Sequence, residues 1–280
     1  MARKYSKTMV EISPEISQQP ISFSMYIMLL RGETNIKSSR GSLRNMHEDC
    51  SRKFGVAAVK QLFVTSIFLL VQIVVFFISA NYSIDPRAWP YFATAFVHYV
   101  VSTIVQFKLN PELLVQRLKM KREGSKLWDE MLMRISNLTV IILIPALAGL
   151  DLRYGWSYLD NHFVLVGLMF VAASTVLLNW AMVVNPHFEP AVRIQKERDH
   201  KVITSGPYNF VRHPGYLAGI LFAISIPLLI GSLFAFIAVG IYVILMISRT
   251  WLEDKTLQEE LEGYSEYISQ VRYRLFPGIW

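Results

Sequence analysis

Apolar residues run through this chain in long unbroken blocks, not in the spaced stripes of a soluble amphipathic helix. Leu62 to Ala80 is 19 residues without a charge, close to the roughly 20 that a helix needs to cross about 30 Å of hydrocarbon. Trp89 to Phe107, Leu138 to Leu150 with its flanks, and Phe163 to Val184 follow as further spans, the third of the four being short and carrying Pro145. From Gly215 to Ile247 the chain is apolar for 33 residues. As one helix that run would measure about 50 Å, far more than the hydrocarbon. Gly231 and Ser232 sit at its middle and Pro227 one turn earlier, so it reads as two antiparallel arms of about 15 residues each. The expected fold is all-α: a polytopic transmembrane bundle of about six helices, the last two a short hairpin. A cytosolic C-terminal helix follows, in which acidic and apolar positions alternate at helical spacing from about Trp251 to Val271, with a break at Gly263.

Composition supports this reading, with 53% hydrophobic and 18% charged residues. The 28 Lys and Arg exceed the 21 Asp and Glu, but the excess lies in loops beside spans, as membrane orientation requires, and not in a patch for nucleic acid. Arg52, Lys53 and Lys60 precede the first span; Lys108, Arg117, Lys119, Lys121, Arg122, Lys126 and Arg134 follow the second; Arg193, Lys196, Arg198, Lys201 and Arg212 follow the fourth. These segments, and both termini, are expected on the cytoplasmic side. The loops 81–88 and 151–162 contain one Arg each and are assigned outside. Residues 1–55 are polar and irregular, with a possible interfacial helix at Ile21 to Leu30, and 56–280 form the membrane domain. The late start of that apolar run argues against a cleaved signal peptide. The single cysteine, Cys50, excludes an internal disulfide framework.

The hairpin carries the functional argument. It returns the chain to the side it left, so Arg212 and His213 before it and Arg249, Glu253 and Asp254 after it fall together at the cytoplasmic surface. Arg249 and Glu253 share a helix face at i, i+4 spacing. Together with Tyr208 and Tyr216 the cluster offers cations, carboxylates and aromatic faces to one ligand. His187, His200 and His213 are spaced 13 and 13 apart, which matches no compact metal-ligand pattern, and no metal is expected. Neither GxGxxG nor a Walker sequence occurs. His98, an isolated ionisable group within a span, reads as an interhelical hydrogen-bond partner.

With those residues in view, the stretch from about Asn110 to Trp280 resembles the isoprenylcysteine carboxyl methyltransferase family, grouped with the phospholipid methyltransferases. The motifs are Gly206–Tyr208 (GPY), Arg212–Tyr216 (RHPGY), Arg249 with Glu253 and Asp254, Gly263–Tyr267 (GYSEY) and the ending RLFPGIW. The resemblance implies an S-adenosylmethionine-dependent methyltransferase acting on a lipophilic acceptor, an isoprenylcysteine-type carboxylate or a lipid amine headgroup. It implies a cofactor site within about 193–280. There Gln195, His200, Lys201, Val202, Ile203, Gly206, Tyr208, Arg212, His213, Pro214, Gly215, Tyr216, Glu253 and Asp254 would contact the cofactor, and Arg249 and Glu253 would serve catalysis. The ending is similar to prokaryotic members, which implies the plasma membrane of a prokaryote. Two other readings stay open: a nicotinamide-dependent enzyme like the membrane sterol reductases, and a membrane transport or structural protein without catalysis.

Overall fold

The computed structural model describes residues 40–83, 86–119 and 124–280, of which His47–Trp280 form one unit. The segment 21–30 expected to form an interfacial helix, and Lys121 and Arg122, lie outside the described residues. Nine α-helices are described: α1 Arg40–Ser79, α2 Trp89–Leu109, α3 Pro111–Arg117, α4 Leu127–Leu138, α5 Ile144–Tyr154, α6 His162–Val184, α7 Pro214–Ile230, α8 Ala235–Glu260 and α9 Tyr264–Gln270. No strand occurs among the described residues.

Five helical stretches are long and apolar enough to cross a membrane: Ser51–Ser79, Pro86–Leu109, Leu127–Tyr154, His162–Val184 and Ala235–Glu260. The sixth, α7, is apolar but shorter. An integral membrane bundle is therefore what the chain builds. The third span, expected to be short, is lengthened by a π-helical turn at Thr139–Leu143 that joins α4 to α5. Pro145 falls at the start of α5, where its missing N–H and fixed φ are tolerated. The wide turn lets one continuous span absorb a residue that would otherwise end it.

The turn of the hairpin is where the sequence places it. Gly231 ends α7 at φ 86°, and its N–H and that of Ser232 donate to Pro227 O at 2.8 and 3.0 Å. That left-handed conformation suits glycine. The second arm departs from expectation: α8 runs unbroken for 26 residues to Glu260, so it is no short arm. It carries Arg249, Glu253 and Asp254 on a rigid helix, because nothing between Ile247 and Glu260 interrupts helical propensity.

Two ends of the bundle emerge. At one, Asp151 accepts from the Ser157 and Ser232 hydroxyls at 2.5 Å each and from Ser157 N–H at 2.7 Å, while Leu159 N–H donates to Gly231 O and Arg87 lies over the Tyr158 ring. The basic-poor loops meet here. Between the ends, the core packs Phe76, Phe92, Ile144, Phe222, Ile226 and Leu229. His98 bonds Thr175 across helices at 2.7 Å. The opposite end gathers the basic loops around the site described next.

Candidate functional site

Successive residues on a helix point about 100° apart, and this separates two neighbouring carboxylates of α8. Glu253 faces a cavity of about 360 Å³. Asp254 turns into the protein and is 2% exposed. Arg249, one turn before Glu253, lines the same cavity.

Asp254 is a hub. It accepts two parallel bonds from Arg212 Nε and Nη2, both 2.8 Å. Arg274 Nε and the Tyr264 hydroxyl each donate at 2.8 Å, and His213 Nε2 lies at 3.2 Å. Arg212 Nη1 donates to Val271 O and Arg272 O. The backbone N–H groups of Arg212 and His213 donate to Tyr273 O and Arg274 O, both at 2.9 Å. The C-terminal segment is thus strapped to the start of α7. Burying a carboxylate costs several kcal/mol unless it is paired and fully hydrogen-bonded, and here every lone-pair direction is taken.

Arg249 is held just as firmly, but by residues far away in sequence. Its Nε donates to Asp129 Oδ1 at 2.6 Å, Nη2 to Pro190 O at 2.7 Å and Nη1 to Met133 Sδ at 2.6 Å. Its guanidinium lies 4.9 Å above the Tyr216 ring. Asp129 also accepts from Val192 N–H at 2.8 Å, which fixes the loop after α6 against α4. The Tyr216 hydroxyl donates to Glu253, and the Tyr216 and His213 rings are parallel at 5.7 Å. Among the described residues Glu253 makes no ion pair within 4 Å, so the cavity presents one carboxylate not matched by a cation.

The loop 185–205 forms the opposite wall. Gln195, 1% exposed, donates from its amide to His187 O at 2.8 Å and accepts from Arg198 at 2.9 Å. His200 Nδ1 accepts from Gln195 N–H at 3.3 Å, and the His187 and His200 rings lie 4.4 Å apart. Burial, followed by the neighbouring His187, Arg193 and Arg198, lowers the His200 pKa to about 4. Burial foremost, then Arg198, also lowers His187. His200 is thus neutral at pH 7. The buried Nδ1 of His187 has no hydrogen-bond partner. Burial raises Tyr208 above its ordinary value; its hydroxyl accepts from Asn185 Nδ2 at 2.9 Å.

Helix α9 closes the site. The i, i+3 spacing of Tyr264 and Tyr267 puts both on one face, where Tyr264 reaches Asp254 and Tyr267 donates to Tyr208 O at 2.7 Å. Both line the cavity, whereas residues 271–280 do not. The cover is therefore α9, and the tail beyond it is the strap.

The structure brings Gln195, His200, Val202, Ile203, Tyr208, Arg212, His213, Pro214, Gly215, Tyr216, Arg249 and Glu253 to the walls of one cavity. Gly215 permits a close approach, since a Cβ there would meet the Phe188 ring at 2.4 Å. Lys201 also borders the cavity, but its side chain points out to Asp199 at 2.5 Å. Gly206 and Asp254 are not on the wall: Gly206 packs on Trp180, and the oxygens of Asp254 are consumed by its own chain. Sequence reasoning missed Asp129, the partner of Arg249. The one available signal was an acidic residue standing in a basic loop, a weak one.

The cavity also reaches into the bundle, bordered there by Phe68 and Gln72 of α1, Tyr99 of α2, Ser136 and Asn137 of α4, and Tyr242 of α8. Phe68 and Asn137 are both exposed and on the wall, so the cavity opens sideways between α1 and α4.

Residues 165–259 match the model of the isoprenylcysteine carboxyl methyltransferase (ICMT) family. Two curated rice proteins, from Oryza sativa subsp. indica and subsp. japonica, each described as a probable protein-S-isoprenylcysteine O-methyltransferase, are 28% identical to this chain over 142 residues. The aligned part is 49% of this chain and 68% of each relative. The resemblance seen in the motifs is borne out over 165–259, which includes Arg212–Tyr216 and Arg249–Asp254. Gly263–Tyr267 and the ending fall beyond that match. The comparisons point to a methyltransferase of the membrane.

Proposed function

We propose that this chain is a member of that family and transfers a methyl group from S-adenosylmethionine to a lipophilic acceptor at the cytosolic face of a membrane. The reading is carried by one cavity that joins the RHPGY segment, the loop 185–205 and the Arg249–Glu253 face of α8, all of which fall in the matched stretch.

The residues present fit the cofactor. A cavity of about 360 Å³ lies in the range of small-molecule sites. Glu253 supplies a carboxylate for a cationic ligand, and the unpartnered His187 Nδ1 is a hydrogen-bonding atom awaiting one. Tyr208, His213 and Tyr216 offer aromatic surface. When bound, S-adenosylmethionine supplies an electrophilic methyl group on a sulfonium.

The acceptor reaches the site through the side opening at Phe68 and Asn137. Arg249 spends three of its five N–H donors on Asp129, Pro190 and Met133, which leaves two for an acceptor carboxylate. A carboxylate is ionised at neutral pH and needs orientation, not deprotonation. An amine acceptor would need a base, and Glu253 is the carboxylate placed to serve as one. Alignment of two bound reactants contributes about 7–11 kcal/mol when it is good, and an Arg locked by Asp129 and stacked on Tyr216 is suited to it.

The test is incubation of the purified protein with methyl-labelled S-adenosylmethionine and a total lipid extract, with identification of the labelled lipid. Absence of labelled product together with tight NADPH binding would defeat the proposal.

A further inference from the structure

The hydroxyl of Ser136 is an exception inside this bundle. The hydroxyls of Thr94, Thr103, Thr139, Thr175 and Thr250 each donate to a carbonyl one turn back, at 2.7–2.9 Å. That is the usual way for a hydroxyl to be satisfied on a membrane helix. Ser136 is 2% exposed and its Oγ has no partner. It lies on the cavity wall, three residues before the start of the π-helical turn at Thr139–Leu143, two of whose residues, Val140 and Ile141, continue that wall. A buried hydroxyl without a bond costs about 1–3 kcal/mol, and a π turn inside a helix frequently marks a functional position.

Its depth can be placed relative to the proposed chemistry. Met133 touches the Arg249 guanidinium, and Ser136 is three residues further along α4, about 4.5 Å deeper along the helix. We propose that Ser136 is a specificity-determining residue that hydrogen-bonds the acceptor, and that the acceptor carries a carbonyl oxygen about one helical turn deeper than the group facing Arg249. This rests on the methyl-transfer reading above and narrows its substrate class. An acceptor that is pure hydrocarbon beyond its reactive group would leave the hydroxyl unpaired, whereas a lipid with an amide beside its carboxylate satisfies it. Asn137, adjacent and at the side opening, lets a polar lipid part enter without full loss of hydrogen bonding.

The experiment compares wild type and Ser136→Ala in lipid nanodiscs, with N-acetyl-S-prenylcysteine and the matching S-prenylthiopropionate as acceptors. The two probes differ in the acetamido group beside the carboxylate arm. Three results are expected. Ser136→Ala unfolds at the same temperature as wild type or higher, because no bond within the protein is lost. It binds S-adenosylmethionine with wild-type affinity. Its kcat/KM for the amide-bearing probe falls about tenfold, while the value for the other probe stays, so the preference between probes collapses. Equal preference in both proteins, or loss of cofactor affinity in Ser136→Ala, overturns the inference while leaving methyl transfer intact. A wild type that methylates neither probe overturns the acceptor class assigned here, and its binding of S-adenosylmethionine then decides whether the broader reading survives.

Discussion

Arg212 and Asp254 meet in a two-pronged ion pair across 42 positions of chain, with both N–O distances at 2.8 Å. The pair ties the start of α7 to the C-terminal part of α8, and Arg274 adds the C-terminal strap to the same carboxylate.

Removing that carboxylate leaves two buried or half-buried guanidinium groups without their counter-charge. Asp254→Asn is expected to destabilise the protein by on the order of 3–5 kcal/mol, the range for breaking a buried pair from one side. Thermal unfolding in nanodiscs measures it, and limited proteolysis should show cleavage near residues 271–274 rising in parallel. Unchanged stability would mean the hub is not needed.

Glu253, its neighbour, is expected to behave oppositely. Glu253→Gln keeps the shape and loses the charge, so unfolding should hardly change while S-adenosylmethionine affinity drops about tenfold, equivalent to about 1.4 kcal/mol. Calorimetric titration reads this directly. The contrast between adjacent residues separates a ligand contact from a structural brace. His213→Ala, by the same logic, should cost stability as well as binding, since His213 touches Asp254.

Asp129 acts through Arg249. Asp129→Asn weakens a charge-assisted bond and loosens the guanidinium, so kcat is expected to fall about tenfold or more with cofactor Kd unchanged. Arg249→Lys loses the planar fork and the stacking on Tyr216 and should fall further. A matching loss of cofactor affinity in Asp129→Asn would point to a collapsed wall and not to a positioning role.

Acid should destabilise the loop 185–205. His200 has a pKa near 4 in the folded protein against about 6.5 unfolded. Its contribution to stability is thus present above pH 6.5 and lost as the pH falls toward 4, because only the unfolded chain takes the proton. The unfolding temperature is expected to fall between pH 7 and pH 4.5, and His200→Gln, which cannot titrate, should show a shallower fall. Equal slopes would assign the acid sensitivity elsewhere.

The spans, the turn at Gly231 and the convergence of Arg212, His213, Arg249 and Glu253 were legible because hydrocarbon thickness limits helix length and a hairpin must return. The division of labour between Glu253 and Asp254 was not, since sequence places both carboxylates after Arg249 without saying which way α8 is rotated. Asp129 was hidden for a different reason. It lies 120 positions from Arg249, and no local periodicity reports a pairing that tertiary packing alone creates. The π turn was also invisible, because Pro145 reads as a helix terminator until a wider turn accommodates it.

The strap has a bearing on how the molecule is made. Helices leave a ribosome in order, and the walls of the cavity are complete once Tyr267 has been synthesised. The carboxylate of Asp254 must wait for Arg274 before its charge is fully met. A nascent chain can therefore have every helix around the cavity in place while the junction of α7 and α8 still lacks one of its cations, and that junction is complete only once Arg274 has emerged.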